Sequence, residues 1–263
     1  VKSDDEIQIC ETAAIISAKA ITKAMKNTKP RINEYQIEAL IDFEFRNQGA
    51  QRPAYNSICA SGINGTILHY KNNNEELKEG NLLLVDAGAM YDDYCADITR
   101  TWPINGKFSE PQKRIYQLVL DVQKECINRI KPGVKFWDIN NFAIERLTKG
   151  LVEIGLLEGS IDELVENKKY RRFYMHSIGH WVGLDVHDTS RVRTNQIILK
   201  PGLYVTIEPG IYIPDEEDIP LEYRGIGVRI EDDVLVTETG NRVLSANVVK
   251  EVKDIEAIVG TDI

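Results

Sequence analysis

Three of the four histidines in this 263-residue sequence fall within fourteen residues, from Met175 to Asp188 (Met-His-Ser-Ile-Gly-His-Trp-Val-Gly-Leu-Asp-Val-His-Asp). Imidazole is a common metal ligand and the side chain best suited to exchanging protons near neutral pH. His176 and His180 stand four apart, a spacing that puts both on one face if the segment is helical. His187 follows Gly183 and precedes Asp188, a carboxylate suited to orienting its ring. A single buried histidine is usually a satisfied core residue. Three in one short segment point to a site.

The acids that converge on such a site are found through a repeat. Residues 200–210 (Lys-Pro-Gly-Leu-Tyr-Val-Thr-Ile-Glu-Pro-Gly) parallel residues 78–88 (Lys-Glu-Gly-Asn-Leu-Leu-Leu-Val-Asp-Ala-Gly). In both, one glycine lies six residues before the acid and another two after it, so Asp86 and Glu208 are equivalent. An acid-bearing strand is expected after each, with Asp97 following by 11 residues and Glu231 by 23. Two related halves about a pseudo-twofold axis would bring all four carboxylates to one centre.

An acid at the end of four buried-strand residues, as in Leu82–Asp86, is costly unless it is paired or holds a cation. Four acids cannot neutralise one another, and only Arg100 and Arg229 lie near them in sequence. Two divalent metal ions would balance Asp86, Asp97, Glu208 and Glu231, with His180 completing a mixed nitrogen and oxygen set. Such ligands without a thiolate suit Mn²⁺, Fe²⁺, Co²⁺ or Zn²⁺. Two such ions ~3.5–4 Å apart make a bridging hydroxide available for hydrolysis. His69, His176 and His187 then remain to bind a substrate and its tetrahedral intermediate.

The elements that must position these residues read as two helix–helix–strand units. Ser3 and Glu6 form a capping box before a helix to about Asn27, and a second helix runs from about Asn33 to Asn47, ending at Gly49. Leu82–Val85 is a buried-type strand, and residues 90–104 read as a strand pair. Ser109 and Gln112 then form a second capping box, with a helix to about Ile130. Lys131-Pro132-Gly133 breaks it, and another helix follows near Trp137–Ile154. A chain opening almost on a helix cap, without an initiator methionine, reads as a domain cut from something longer.

Composition narrows the class. Hydrophobic residues at 43% and charged residues at 28% are those of a soluble globular protein. No apolar run approaches ~18 residues, so no membrane span is expected. The opening Val1-Lys2-Ser3-Asp4 lacks signal-peptide character. Cys10, Cys59, Cys95 and Cys126 lie far apart, which suits reduced thiols in the cytoplasm. A net charge of −9, with both signs interspersed, disfavours nucleic acid as the partner.

Taken together, residues 67–70, 85–88, 96–101, 176–188, 207–210 and 223–233 resemble Xaa-Pro aminopeptidase (aminopeptidase P), in order and over essentially the whole chain. Prolidase, methionine aminopeptidase and creatinase share its fold. The resemblance implies an α+β "pita-bread" fold, two pseudo-symmetric halves around a curved antiparallel sheet, with residues 1–263 forming one catalytic domain. It also implies that the family's N-terminal domain is absent from this chain. The implied activity is hydrolysis of the bond between an N-terminal residue and a following proline, using two divalent ions, Mn²⁺ foremost. Asp86 would ligate one ion through both oxygens, Asp97 and Glu231 would bridge the two, and His180 and Glu208 would complete the other. Glu208 would also shuttle a proton to the departing proline nitrogen, which leaves poorly unless protonated. By the same resemblance His187 and His69 would steady the scissile carbonyl and the residues beyond proline. His176 would line the proline side, Arg229 would fix the metal carboxylates, and Tyr212 would sit in the pocket. Peptides with proline second are the expected partners, and a dimer or tetramer is expected of the full-length protein. The competing readings are prolidase, methionine aminopeptidase and a non-catalytic binding scaffold; the last is expected to lose metal ligands, and this chain has all five.

Overall fold

Both capping boxes form in the protein's structure, a computed structural model that describes residues 1–189 and 196–262. Glu6 N–H donates to the Ser3 hydroxyl while Ser3 N–H donates to the Glu6 carboxylate, which opens α1 (Asp4–Asn27). Helix α2 (Glu34–Asn47) starts from Asn33, and Gly49, at φ +92°, turns the chain away just beyond its end. Ser109 and Gln112 cap α3 (Glu110–Ile127) reciprocally. This helix stops short of Ile130, because Arg129 and Ile130 donate to Cys126 and Ile127 in tight turns before Pro132. Helix α4 (Phe136–Glu153) follows. α1 packs on α2 and α3 on α4, so each predicted helix pair is a packing unit.

Short strands make up the rest. They are β1 (Arg52–Pro53), β2 (Ile58–Ser61), β3 (Leu82–Asp86), β4 (Ala89–Tyr91), β5 (Tyr94–Cys95) and β6 (Thr99–Pro103) in the first half. The second half contributes β7 (Tyr204–Ile207), β8 (Gly210–Tyr212), β9 (Gly227–Arg229), β10 (Asp232–Val236) and β11 (Asn241–Val243). All pairings between them are antiparallel, with β2-β3-β6 in one half answered by β11-β10-β7 in the other. One hydrophobic core runs from Ile16 on α1 to Val259 near the C-terminal end and includes Trp102, Tyr116 and Phe136. Among the described residues no helix is long and apolar enough to cross a membrane.

Register explains why the acids converge. Ile207 pairs with Asp232, so Glu208 after the one and Glu231 before the other leave the same end of a strand pair. Asp86 pairs with Thr99, and Asp97 lies two residues before it. Asp97 is therefore outside the strand expected to carry it; its N–H donates to the Asp233 carboxylate at 3.0 Å instead of to a strand partner. The halves are joined where Glu231 N–H donates to Thr99 O at 3.0 Å and Thr101 Oγ1 donates to Arg229 O at 3.0 Å.

The histidine segment is not helical. Thr206 and Glu208 N–H donate to His180 O and Ile178 O, and Trp181 bridges Val205, so the chain lies extended beside β7. The i, i+4 spacing is overridden because β7 takes its backbone groups. Gly179 permits the approach, since a Cβ there would lie 2.0 Å from Thr206 O.

Candidate metal centre

Asp86, Asp97, His180, Glu208 and Glu231 line one cavity of about 410 Å³, together with His69, His176, His187 and Arg229. Nine of the ten residues given a metal or substrate role in the sequence are thus on one surface. The tenth, Tyr212, lies directly behind it, its oxygen 2.8 Å from His176 Nε2 and 3.1 Å from Arg229 Nη1. A second cavity of about 570 Å³ shares His69, Asp86, Asp97 and His187 and extends past Tyr55, Ile58, Tyr70 and Val186.

The donors are close. Asp97, His180 and Glu231 each offer one atom, and the three lie within 4.8 Å of one another. His180 Nε2 is 3.4 Å from Asp97 Oδ2 and 3.5 Å from Glu208 Oε1. Its Nδ1 is 3.0 Å from the Trp181 carbonyl, an acceptor only, so Nδ1 carries a proton and Nε2 is the ring atom turned toward the carboxylates, the one available to ligate a cation once its own proton is displaced. Asp86 stands slightly apart, held by Arg229 Nη2 at 2.6 Å and by the Tyr55 hydroxyl at 2.5 Å. That hydroxyl is also 2.5 Å from Asp97, so one O–H serves two carboxylates.

Electrostatics mark the same spot. Four carboxylates against one guanidinium leave a net charge of 1 − 4 = −3 among the five groups. Burial pushes Glu208 up to about 7, aided by Asp97 and Asp86 and opposed by His180 and Arg229. Burial and the charges of Asp97, Glu208 and Asp86 hold Glu231 well above the carboxylate range. Burial disfavours a charge on His180, yet Asp97 and Glu208 push it up to about 9. The cluster thus attracts protons for want of positive charge. Hard oxygens with one oriented imidazole fit a divalent cation, whose binding displaces those protons.

His176 behaves differently from His180. Arg229 donates to the Tyr212 oxygen, which leaves the Tyr212 proton for His176 Nε2; His176 Nδ1–H then donates to Ser177 O at 2.8 Å. Both ring nitrogens are used within the protein, and burial with the Arg229 charge holds the ring neutral, down to about 3. His176 presents a flat, uncharged wall to the cavity. His187 packs edge-on against His180 at 4.3 Å between centroids, and burial together with the His180 charge lowers it.

Two expectations need correcting. Asp188 does not orient His187; its carboxylate pairs with Lys2 Nζ at 2.8 Å. Arg100 does not neutralise the four acids; it grips Asp232 at 2.7 Å behind them and donates to the Glu231 carbonyl oxygen. Three groups have no sequence counterpart above. Thr99 Oγ1 donates to Glu231 Oε2 at 2.6 Å, Thr206 Oγ1 lies 3.4 Å from Glu208 Oε1, and Tyr55 spans Asp86 and Asp97. Strand alternation from Asp97 signals Thr99, whereas nothing in the polar stretch around Tyr55 signals it.

Fold and cluster together outline a candidate metal site at the seam of a two-half α+β fold. The chain belongs to metallopeptidase family M24, whose pattern matches residues 8–238. It is 49% identical to the Xaa-Pro aminopeptidase of Haemophilus influenzae over 97% of this chain and 60% of that one. It is 44% identical to the Xaa-Pro aminopeptidase of Escherichia coli, covering 98% of this chain and 58% of the other. The structure of Escherichia coli aminopeptidase P with the inhibitor Pro-Leu superposes with a TM-score of 0.96 at 44% identity, over 98% of this chain and 59% of that chain. The pita-bread fold is thereby shown. The chain spans about three-fifths of the length of these relatives.

Proposed function

We propose that this chain is the catalytic domain of an Xaa-Pro aminopeptidase, a metal-dependent hydrolase that releases an N-terminal residue from peptides with proline second. The observation that carries the reading is the single cavity lined by five metal-type donors and three further histidines. Relatives named for this activity at 49% and 44% identity support it, as does the Escherichia coli enzyme seen with Pro-Leu. We assign Asp86, Asp97, His180, Glu208 and Glu231 to two divalent ions, with Asp97 and Glu231 shared. Mn²⁺ is our first choice; the donor set also accepts Zn²⁺, Co²⁺ or Fe²⁺, and a zinc-substituted form of the Escherichia coli enzyme exists. When bound, the ions would lower the pKa of a shared water so that a nucleophile is present at neutral pH.

The chain's own groups do the rest. Glu208, poised near neutrality, takes a proton on a carboxylate oxygen and returns it to the departing proline nitrogen. His187 and His69, which line the same cavity, donate to the scissile carbonyl and the residues beyond proline. The neutral His176, locked by Tyr212, packs against the proline ring. Arg229 pairs with Asp86 at 2.6 Å and opposes the burial that would protonate it. Four buried, unpaired cysteines support a cytoplasmic setting.

The test is peptide hydrolysis after Mn²⁺ is added to metal-stripped protein. Metal-dependent release of glycine from Gly-Pro-Leu alone is the expected result. Cleavage of the Gly-Pro dipeptide alone would make it a prolidase, and cleavage of Met-Ala-Ser a methionine aminopeptidase. Silence together with a failure to bind metal would leave a binding scaffold.

A further inference from the structure

The cavity wall that carries His69 hangs from one buried carboxylate. Glu34, the first residue of α2, is fully buried, and its two oxygens accept five hydrogen bonds. Oε1 accepts from Ser61 N–H and Ser61 O–H, both at 2.7 Å, and from the Asn64 amide at 3.2 Å. Oε2 accepts from Tyr70 O–H at 2.8 Å and Glu75 N–H at 3.1 Å. None of the five donors is cationic. The two oxygens are thus satisfied by neutral donors, at the amino end of α2.

The positions of the donors make this more than ordinary satisfaction of a buried acid. The chain leaves β2 at Ser61, makes a tight turn over Gly62–Thr66, passes Leu68 and His69 at the cavity, and returns at Glu75. Ser61 and Asn64 lie on the outgoing limb, Tyr70 and Glu75 on the returning one. Glu34 therefore clasps both limbs, and one of its partners is the residue next to His69. Asn73 closes the base independently, accepting from Cys59 N–H at 2.9 Å and donating to Ser57 O at 2.8 Å. The His69 side chain is exposed and has no hydrogen-bond partner among the described residues. Its place is set by its backbone, and its backbone by Tyr70 and the clasp.

We propose that Glu34 is a positioning residue for His69, acting through Tyr70 to hold the residue 61–75 loop over the metal cavity. The proposal rests on the Xaa-Pro aminopeptidase reading only for what His69 then touches. Glu34→Gln keeps the volume but turns one acceptor oxygen into a donor facing donors. Tyr70→Phe removes one of the five bonds to Glu34, together with a longer contact to Asn74 Oδ1 at 3.3 Å, and keeps the test available if the first variant folds poorly.

Two measurements on the whole protein decide it. In amide hydrogen exchange, peptides spanning residues 61–75 should exchange about tenfold faster in either variant, with α3 and α4 unchanged. Unchanged exchange there overturns the clasp, whether or not the protein cleaves Xaa-Pro peptides. In a double-mutant cycle with His69→Ala, Glu34→Gln should lower kcat/KM for Gly-Pro-Leu, and weaken Pro-Leu binding, about tenfold alone but less than about twofold on top of His69→Ala. Equal losses in both backgrounds overturn the positioning role, because general loosening does not depend on His69. A wild type that cleaves no Xaa-Pro peptide sinks the functional reading, and the exchange result still decides the clasp.

Discussion

The two halves present equivalent acids in unequal surroundings. Asp86, from the first half, is gripped by Arg229 and Tyr55. Glu208, its counterpart, has a threonine hydroxyl at 3.4 Å and an imidazole at 3.5 Å, and burial pushes it up to about 7. The guanidinium that makes the difference comes from the second half and reaches across the seam. A duplicated scaffold thus places two carboxylates alike, but of the two only Asp86 is hydrogen-bonded to Arg229; burial raises both acids, and the arginine's charge opposes it at both.

That comparison can be broken most severely at the two residues proposed as shared ligands. Asp97→Ala or Glu231→Ala should abolish peptide hydrolysis and lower metal content, read by turnover and elemental analysis; a fully active, metal-loaded variant of either would sink the assignment of both as bridges. Glu208→Gln should reduce kcat by about 10²–10⁴-fold, the range of lost general acid–base catalysis. The equivalent Asp86→Asn should act instead through metal content, so equal proton-transfer defects in the two would erase the proposed asymmetry. Removing the arginine is next in size. Arg229→Met strands the Asp86 charge and should destabilise the fold by about 3–5 kcal/mol in denaturant titration. Asp86→Asn in the same chain should recover part of that loss. The mildest change is Tyr55→Phe, which frees Asp86 and Asp97 from their common donor. Metal affinity should fall about 10–100-fold, as for other groups that orient ligands, with melting temperature nearly unchanged.

Much of this was legible in the residues because the constraints were local or repeated. Capping boxes at Ser3 and Ser109 need only four consecutive residues, and both are found. The glycine–acid–glycine spacing around Asp86 and Glu208 reports a strand end, and both acids stand there. Helix ends were less legible: α3 finishes at Ile127 because tight turns precede Pro132, an outcome of three-dimensional fit rather than of propensity.

The sequence by itself determined the helix pairs, the duplicated acid-ended strands and the presence of more carboxylates than nearby cations. Those follow from periodicity, turn chemistry and charge, which act over a few residues. Only the tertiary structure decided that the histidine segment lies extended beside β7, that Arg100 turns away to Asp232, that Asp188 takes Lys2, and that Tyr55 joins two carboxylates. Each depends on groups tens of residues apart competing for the same hydrogen bonds or counter-charge. The winner of such a competition is set by which surfaces the folded chain brings within ~3 Å, the reach of a hydrogen bond, and no local pattern records that.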